Sequence, residues 1–533
     1  MDTFDCVIVG GGSAGCVLAA RLTQDPAVSV CLLEAGGEGR GALVRVPLGI
    51  VVTVPTQLIN WGFRSVPQPG LDGRRCYQPR GRALGGSSAI NAMIYTRGHA
   101  ADYDAWAAAG NPGWSYAEVL PYFRRAENNA RLHDEYHGAD GPLPVSDSRT
   151  GNPMQQVFLA ASRQAGFRLT EDFNGVDQEG VGVYQVTQQQ GERWSAARAY
   201  LHPHLFRPNL RVLTGARTRR ILFTGKRATG VEYSRSGRVE TVTARTEVIL
   251  SAGTFQSPQL LMLSGIGDAD ELRRHGISVV QHLAGVGQNL QDHLDYTLIH
   301  RAKSLDLLGA SPRGLLRFVR EFGRYRRQRN GMLTSNVAEA GGFLKTDPGL
   351  SVPDVQLHFC VAVVHNHGRT LQHLWHGYSL HVCALRPGSR GQVSLASARP
   401  EAAPRIDPAY LSDTHDIEVM VRGFRLARRI LEAPAFAPYH TRELFSAGVE
   451  SDQQIRALIR ARAETIYHPV GTCRMGSDDG AVVDAALRVR GVEGLRVVDA
   501  SVMPTLIGGN THAPTIMIAE KAADLIHRQP SAG

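Results

Sequence analysis

The chain has 533 residues, 43% hydrophobic and 20% charged, with a formal net charge of +9 and a mean hydropathy of −0.18. That length is too great for one ordinary core, so two domains are expected, and no apolar run approaches the ~20 residues of a membrane helix. Only four of the 58 basic residues are lysine (Lys226, Lys303, Lys345 and Lys521), a bias that argues against a nucleic-acid partner. Seven cysteines scattered from Cys6 to Cys473 without C-x-x-C spacing suggest reduced thiols and a cytoplasmic chain. There are twenty histidines, but none falls in a metal-ligand cluster, and no metal is expected. The first strand begins near residue 5, which leaves no room for a leader peptide before it.

From the N-terminus, Asp5 to Val9 reads as a buried strand, Gly10-Gly11-Gly12-Ser13-Ala14-Gly15 as a turn and Cys16 to Leu22 as a helix. A second strand, Val28 to Leu33, ends on Glu34. Gly10 permits the tight turn, and Gly12 lets backbone N–H groups approach a pyrophosphate. Gly15 lets helix and strand pack closely, and the helix N-terminus faces the phosphates with its positive dipole end. Glu34 stands where a carboxylate can accept hydrogen bonds from a ribose diol. Strand, turn, helix, strand and terminal acid in order predict a dinucleotide site without separating NAD from FAD. Ser13, Ala14 and Ala35 belong to the same candidate site.

Further on, Leu210 to Leu213 and Glu247 to Leu250 read as strands and Gln256 to Leu263 as a helix. The stretch from about Tyr296 to Val449 differs in texture. Tyr378 to Leu385 and Gly391 to Leu395, joined by a Pro387-Gly388 turn, suggest an antiparallel sheet with one face covered. Between Arg313 and Arg329, seven arginines accompany Leu315, Leu316, Val319 and Phe322 at helical spacing. Such a helix suits either a solvated face over the core or peripheral contact with the inner face of a membrane. Near the end, Pro514 marks a helix start, with Thr515 to Ile526 continuing it. The whole reads as an α/β chain. A Rossmann-like cofactor domain is expected from segments 1–155, 205–295 and 455–533, and a substrate domain, an antiparallel sheet flanked by helices, from 156–204 and 296–454.

Several segments then act together. Gly81-Arg82-Ala83-Leu84-Gly85-Gly86-Ser87-Ser88-Ala89-Ile90-Asn91 is a second glycine-rich loop. Gly253-Thr254-Phe255-Gln256-Ser257-Pro258 runs on to Ser264-Gly265-Ile266-Gly267, and Gly285-Val286-Gly287-Gln288-Asn289-Leu290-Gln291-Asp292-His293 follows. Tyr467-His468-Pro469-Val470-Gly471-Thr472, Val498-Asp499-Ala500-Ser501 and Asn510-Thr511-His512-Ala513-Pro514-Thr515 close the series. In this order, over essentially the whole chain, they resemble the glucose–methanol–choline (GMC) family of FAD-dependent oxidoreductases. Ser335 to Phe343 and Gln356 to Phe359 make the chain most similar to the bacterial alcohol dehydrogenases of that family, with choline dehydrogenases and oxidases as near neighbours.

The resemblance implies FAD and the oxidation of a primary alcohol to the aldehyde, with hydride passing to flavin N5 and electrons to a quinone or other non-oxygen acceptor. It places His468 at the family's catalytic histidine, apt because imidazole titrates near working pH. It matches His512 to the second active-site position, with Asn510 as the alternative alignment. Activity is then expected to rise with pH through the pKa of the pair, and His468→Ala to lose far more turnover than His512→Asn. Arg82, Gly85, Gly86, Ser87, Ser88, Asn91 and Ala92 would lie along the flavin, Asp499 and Ala500 at the phosphates or ribityl chain, and Pro514 and Thr515 at a helix N-terminus facing the pyrimidine edge. Ile90 occupies the place of a histidine that bonds the flavin in some relatives, so FAD is expected to be non-covalent. Glu339 matches a glutamate that pairs with trimethylammonium in choline-specific relatives, yet Val337, Ala338 and Leu344 make a poor aromatic cage, which favours a non-ionic alcohol. His358 is a further candidate for the substrate pocket. Two other classes compete: a non-redox flavin lyase or decarboxylase of the same fold, and an electron carrier docked through Arg313 to Arg329.

Overall fold

The computed structural model describes residues 2–528. The first strand, β1 (Asp2–Val9), leads through the glycine turn into helix α1 (Ser13–Leu22) and returns as β2 (Val30–Glu34). β1 pairs in parallel with β2 on one side and with strand Arg238–Leu250 on the other. The chain thus changes direction along the sheet at β1, and the crevice at the carboxyl ends of its strands is a topological switch point. Strands Leu210–Thr214 and Leu495–Val497 extend the parallel part, and the antiparallel strands Arg217–Thr224 and Arg227–Arg235 complete seven. Val7, Ile8, Leu32, Val248 and Ile249 are fully buried. Burial on both faces explains why these strands read as continuous apolar runs.

A second seven-stranded sheet is antiparallel throughout. Its order is Arg442–Leu444, Leu294–Arg301, Gly377–Ala384, Val355–Cys360, Ala338–Leu344 and Gly180–Val183, and Glu464–Thr465 also pairs with Leu294–Arg301. Helix Thr414–Leu431 lays Ile417, Met420, Phe424 and Ala427 against Leu298, Leu357 and Val382 in a core separate from that of the first sheet. The fold class is α/β.

Three boundaries differ from the sequence reading. Helix Asp452–Arg462 buries Ile455 and Ile459 in the second core, so residues expected in the cofactor unit from 455 onward begin in the other one. Conversely, Ala196 to Leu201 packs in the first core, inside a segment expected to belong to the second. The run Gly391 to Leu395 does not join Gly377–Ala384. The amides of Gly388 and Ser389 donate to Asp416 and hold the turn away from the sheet, and Gln392–Ser394 pairs instead with Arg405–Asp407.

Among the described residues no helix is long and apolar enough to cross a membrane. The seven cysteines are all buried and unpaired. Helix α2 (Pro312–Gln328) packs beside the turn Met332–Thr334 with only Tyr325 buried. The last helix, α3 (His512–His527), packs along α1, where Arg21 and the buried Glu520 form an ion pair at 2.8 Å.

Candidate active site

A cavity of about 620 Å³ is lined from both sheets, a volume that suits a cofactor and a small substrate. At one end stands the β1–α1 turn. Gly10 has φ +102°, and a Cβ there would come within 2.5 Å of Ser251 O. A Cβ on Gly15 would meet Gly10 O at 2.0 Å. A Cβ on Gly12 would meet nothing nearer than 3.8 Å, so neighbouring protein atoms do not explain that glycine, whereas a ligand resting on the turn would. The second glycine loop sits on the first: Gly85 N donates to Gly11 O at 2.7 Å, and a Cβ on Gly86 would fall 2.7 Å from Gly12 Cα. Glu34 accepts from Gly11 N at 3.0 Å and Gly36 N at 2.7 Å. Burial raises its carboxyl above the ordinary range despite those donors. Its remaining lone pairs line the cavity.

The other end is built from imidazoles. His468 follows Glu464–Thr465, and Tyr467 before it adopts φ +76°, a left-handed conformation costly for a non-glycine residue. Asp292 secures that conformation by accepting from His468 N at 2.9 Å and from the hydroxyls of Tyr410 and Thr465. Pairing of Leu294 with Thr465 in antiparallel register brings His293 beside His468. His293 Nε2 donates to Leu385 O at 2.9 Å, because a carbonyl can only accept. Burial lowers the pKa of His293 to about 3, so the ring is neutral and its Nδ1 carries a lone pair. That lone pair accepts from His468 Nδ1 at 2.9 Å. The Nε2 of His468 is therefore an acceptor, and it meets Asn510 Nδ2 at 3.1 Å. The Asn510 amide is oriented in turn, its Oδ1 accepting from Gln356 at 2.9 Å and Thr96 at 3.2 Å. Every bond in the chain agrees with one tautomer: His468 presents a basic Nε2.

Burial, reinforced by His293, His358 and Arg80, pushes His468 well below its ordinary pKa. His358 lines the same cavity with neither ring nitrogen partnered, and burial, helped by His381, lowers it to about 3. It faces His381 across the sheet in direct register. Burial alone would lower His381, but Asp295 at 2.6 Å outweighs it and holds the ring well above its usual value.

Family models for GMC oxidoreductases match residues 4–295 and 387–519. The chain belongs to the GMC oxidoreductase family. It is 49% identical to an alcohol dehydrogenase [acceptor] of Pseudomonas putida over 99% of this chain and 96% of that one. It is 48% identical to human mitochondrial choline dehydrogenase over 99% of this chain and 91% of that one. Among solved structures, pyridoxine 4-oxidase from Mesorbium loti superposes with a TM-score of 0.89 at 33% identity, covering 99% and 100% of the two chains. Membership makes the protein an FAD-dependent oxidoreductase. The backbone at Gly12, the helix N-termini of α1 and α3, and the buried, unpartnered Ser251 Oγ and His512 Nε2 are the groups such a cofactor would satisfy.

Most expected cofactor residues line this cavity: Gly10, Gly12, Ser13, Ala14, Glu34, Ala35, Gly86, Ser87, Ser88, Asn91, Ala92, Asp499, Ala500 and Thr515. Gly15, Gly85 and Pro514 do not; they shape the backbone behind it. Arg82 is exposed, 4.8 Å over the Trp61 ring, while Arg80, which the sequence reading missed, lines the cavity and binds Tyr467 O at 2.8 Å. Asp499 is a cap, accepting from Ser501 N and Gly253 N at 2.8 Å each, and it also faces the cavity.

Two expected site residues take other partners. His512 lines the cavity without a hydrogen bond to His468. Its Nδ1 lies 3.1 Å from Ser13 Oγ at the dinucleotide end, because it opens α3 beside α1. Asn510, two residues earlier on the approach to that helix, is the residue that reaches His468. Glu339 is absent from the lining of the large cavity. Ala338 lines the cavity and Glu339, next along the strand, faces away, where it accepts from Ser335 at 2.5 Å, Gln155 at 2.8 Å and Thr150 at 3.0 Å. His293, Asp292 and Gln356 also escaped the sequence reading. The Gln-Asp-His run was visible, but its proximity to His468 depends on strand pairing.

Proposed function

We propose that this enzyme oxidises a non-ionic primary alcohol to the aldehyde and hands the electrons to a quinone or another non-oxygen acceptor. The unit around the first sheet would hold a dissociable FAD, and the unit around the second would hold the alcohol. The observation that carries this reading is the neutral His468 on the cavity wall, whose Nε2 lone pair is met by Asn510 Nδ2 at 3.1 Å. An alcohol hydroxyl that takes the place of Asn510 Nδ2 at Nε2 gives its proton to that nitrogen, while the released Asn510 amide and the unpartnered His358 hold the oxygen. FAD, when bound, supplies the hydride acceptor at N5. His293 accepts the Nδ1 proton of His468 and so keeps the basic nitrogen on the substrate side. Ile90 lines the cavity and offers no nucleophile, which supports the non-covalent state. Seven thiols without a disulfide suit a cytoplasmic setting.

A non-ionic substrate is favoured by the charges present. Among the described lining residues the carboxylates are Glu34 and Asp499, both at the dinucleotide end, whereas Arg80 lies beside His468. A trimethylammonium group would find no carboxylate on the cavity wall beside the base, since Asp292 is buried behind it. The 48% identity to a choline dehydrogenase favours choline as the second reading. An anaerobic panel of aliphatic, benzylic and cationic alcohols, scored by flavin absorbance with oxygen uptake in parallel, separates these. Bleaching by neutral primary alcohols with little oxygen consumption is expected. Bleaching by choline alone would overturn the substrate assignment, and bleaching by no alcohol would overturn the reaction.

A further inference from the structure

Helix α2 departs from the rule that a surface helix turns its apolar stripe toward the core. Leu315 is 66% exposed, Val319 61% and Phe322 48%, and these lie at i, i+4 and i+7 on one outward face, with Leu316 at 56% beside them. The helix is held down by other residues. Ser311 caps it, Arg317 pairs with Asp306 at 3.2 Å, Glu321 accepts from Met332 N at 2.8 Å, and Tyr325 is buried. The apolar face is therefore not the residue of a poorly seated helix; the opposite side is fastened. Beside the stripe, Arg313, Arg320 and Arg327 form a second row at helical spacing. None of the three has an ion-pair partner among the described residues. The mouth of the large cavity opens next to this face: Phe318, Val51 and Leu374 line the cavity while 42%, 49% and 42% exposed.

We propose that the α2 face docks on an anionic lipid surface and that the cavity opens toward the bilayer. Apolar side chains over about two helical turns would enter the acyl boundary while the arginine row meets lipid phosphates, the pattern of an interfacial helix. A second protein copy would need an acidic partner surface for the arginines, whereas an anionic bilayer supplies negative charge and apolar volume together. This inference concerns where the enzyme sits and stands apart from which alcohol it oxidises.

Holoenzyme is sedimented with extruded vesicles of phosphatidylcholine, alone or mixed with phosphatidylglycerol. Pelleting with the anionic vesicles and not the zwitterionic ones is expected. The triple variant Arg313→Glu, Arg320→Glu and Arg327→Glu should lower the bound fraction at least tenfold, on the order expected for three surface cations. Leu315→Ser with Val319→Ser and Phe322→Ser should do the same by removing the inserted face. Both variants should keep wild-type flavin content and dye-linked turnover of a water-soluble alcohol, which separates lost docking from lost folding. Wild-type enzyme remaining in the supernatant with both vesicles would overturn the proposal, as would variants that pellet like wild type. Dimerisation abolished by the serine variant, without vesicle binding, would assign the face to a second copy instead. Because sedimentation needs no substrate, a negative result leaves the catalytic reading untouched.

Discussion

The two ends of the cavity are built on opposite principles. The dinucleotide end is made by backbone: Gly10, Gly12 and Gly15 bring main-chain groups close, and Glu34 is fixed by two amides. The imidazole end is made by side chains from distant parts of the chain: His293, His468 and Asn510 orient one another through hydrogen bonds, and His358 stands unpartnered beside them. The first end is therefore vulnerable to added volume and the second to lost hydrogen-bonding function.

The sharpest way to break the comparison is to crowd the first end. Gly15→Val places a side chain 2.0 Å from Gly10 O, and the expected result is protein purified almost free of flavin. Full flavin content in that variant would show that α1 can shift to accommodate it. Next in size, His468→Ala should retain flavin yet lose turnover by roughly 10²–10⁴-fold, the usual scale for a general base. The same residue sets the pH response. It accepts a proton only when neutral, and its pKa lies well below 6.5, so kcat/KM should rise only in the acid range and be level from pH 6.5 upward. The limb expected from sequence near an ordinary histidine pKa is thus displaced downward, and a limb centred above 6.5 would contradict the buried geometry. Smallest is the pair that separates the two candidates near the C-terminus. Asn510→Ala removes a hydrogen bond at His468 and should cost roughly ten- to a hundredfold in turnover. His512→Asn, acting at Ser13, should cost less than about tenfold. The reverse ranking, measured by stopped-flow flavin reduction, would restore His512 to the base.

Legibility from sequence followed the same division. β1, the glycine turn, α1 and β2 were readable because all their determinants lie within the first 34 residues and obey strand and helix periodicity. Helix Gln256–Leu263 was equally plain. His468 was readable only through the family motif, since a lone histidine in a loop carries no local signal of chemistry. The choice between Asn510 and His512 could not be made locally. Two residues at a helix entrance point in different directions, and which of them meets His468 depends on where α3 docks against α1. Glu339 could not be placed from sequence for a related reason: which face of its strand meets the cavity depends on how the strand docks, and Ala338 is the residue on that face.

Sequence alone determined the α/β class, the nucleotide turn and the family motifs, because each rests on short-range spacing that the backbone converts directly into geometry, and the candidate base followed from resemblance to the family. Tertiary structure decided which nitrogen of His468 is basic, which residue partners it, and which acids line the cavity. Those depend on antiparallel register and helix docking between segments far apart in the chain, where a shift of one position sends a side chain to the other face.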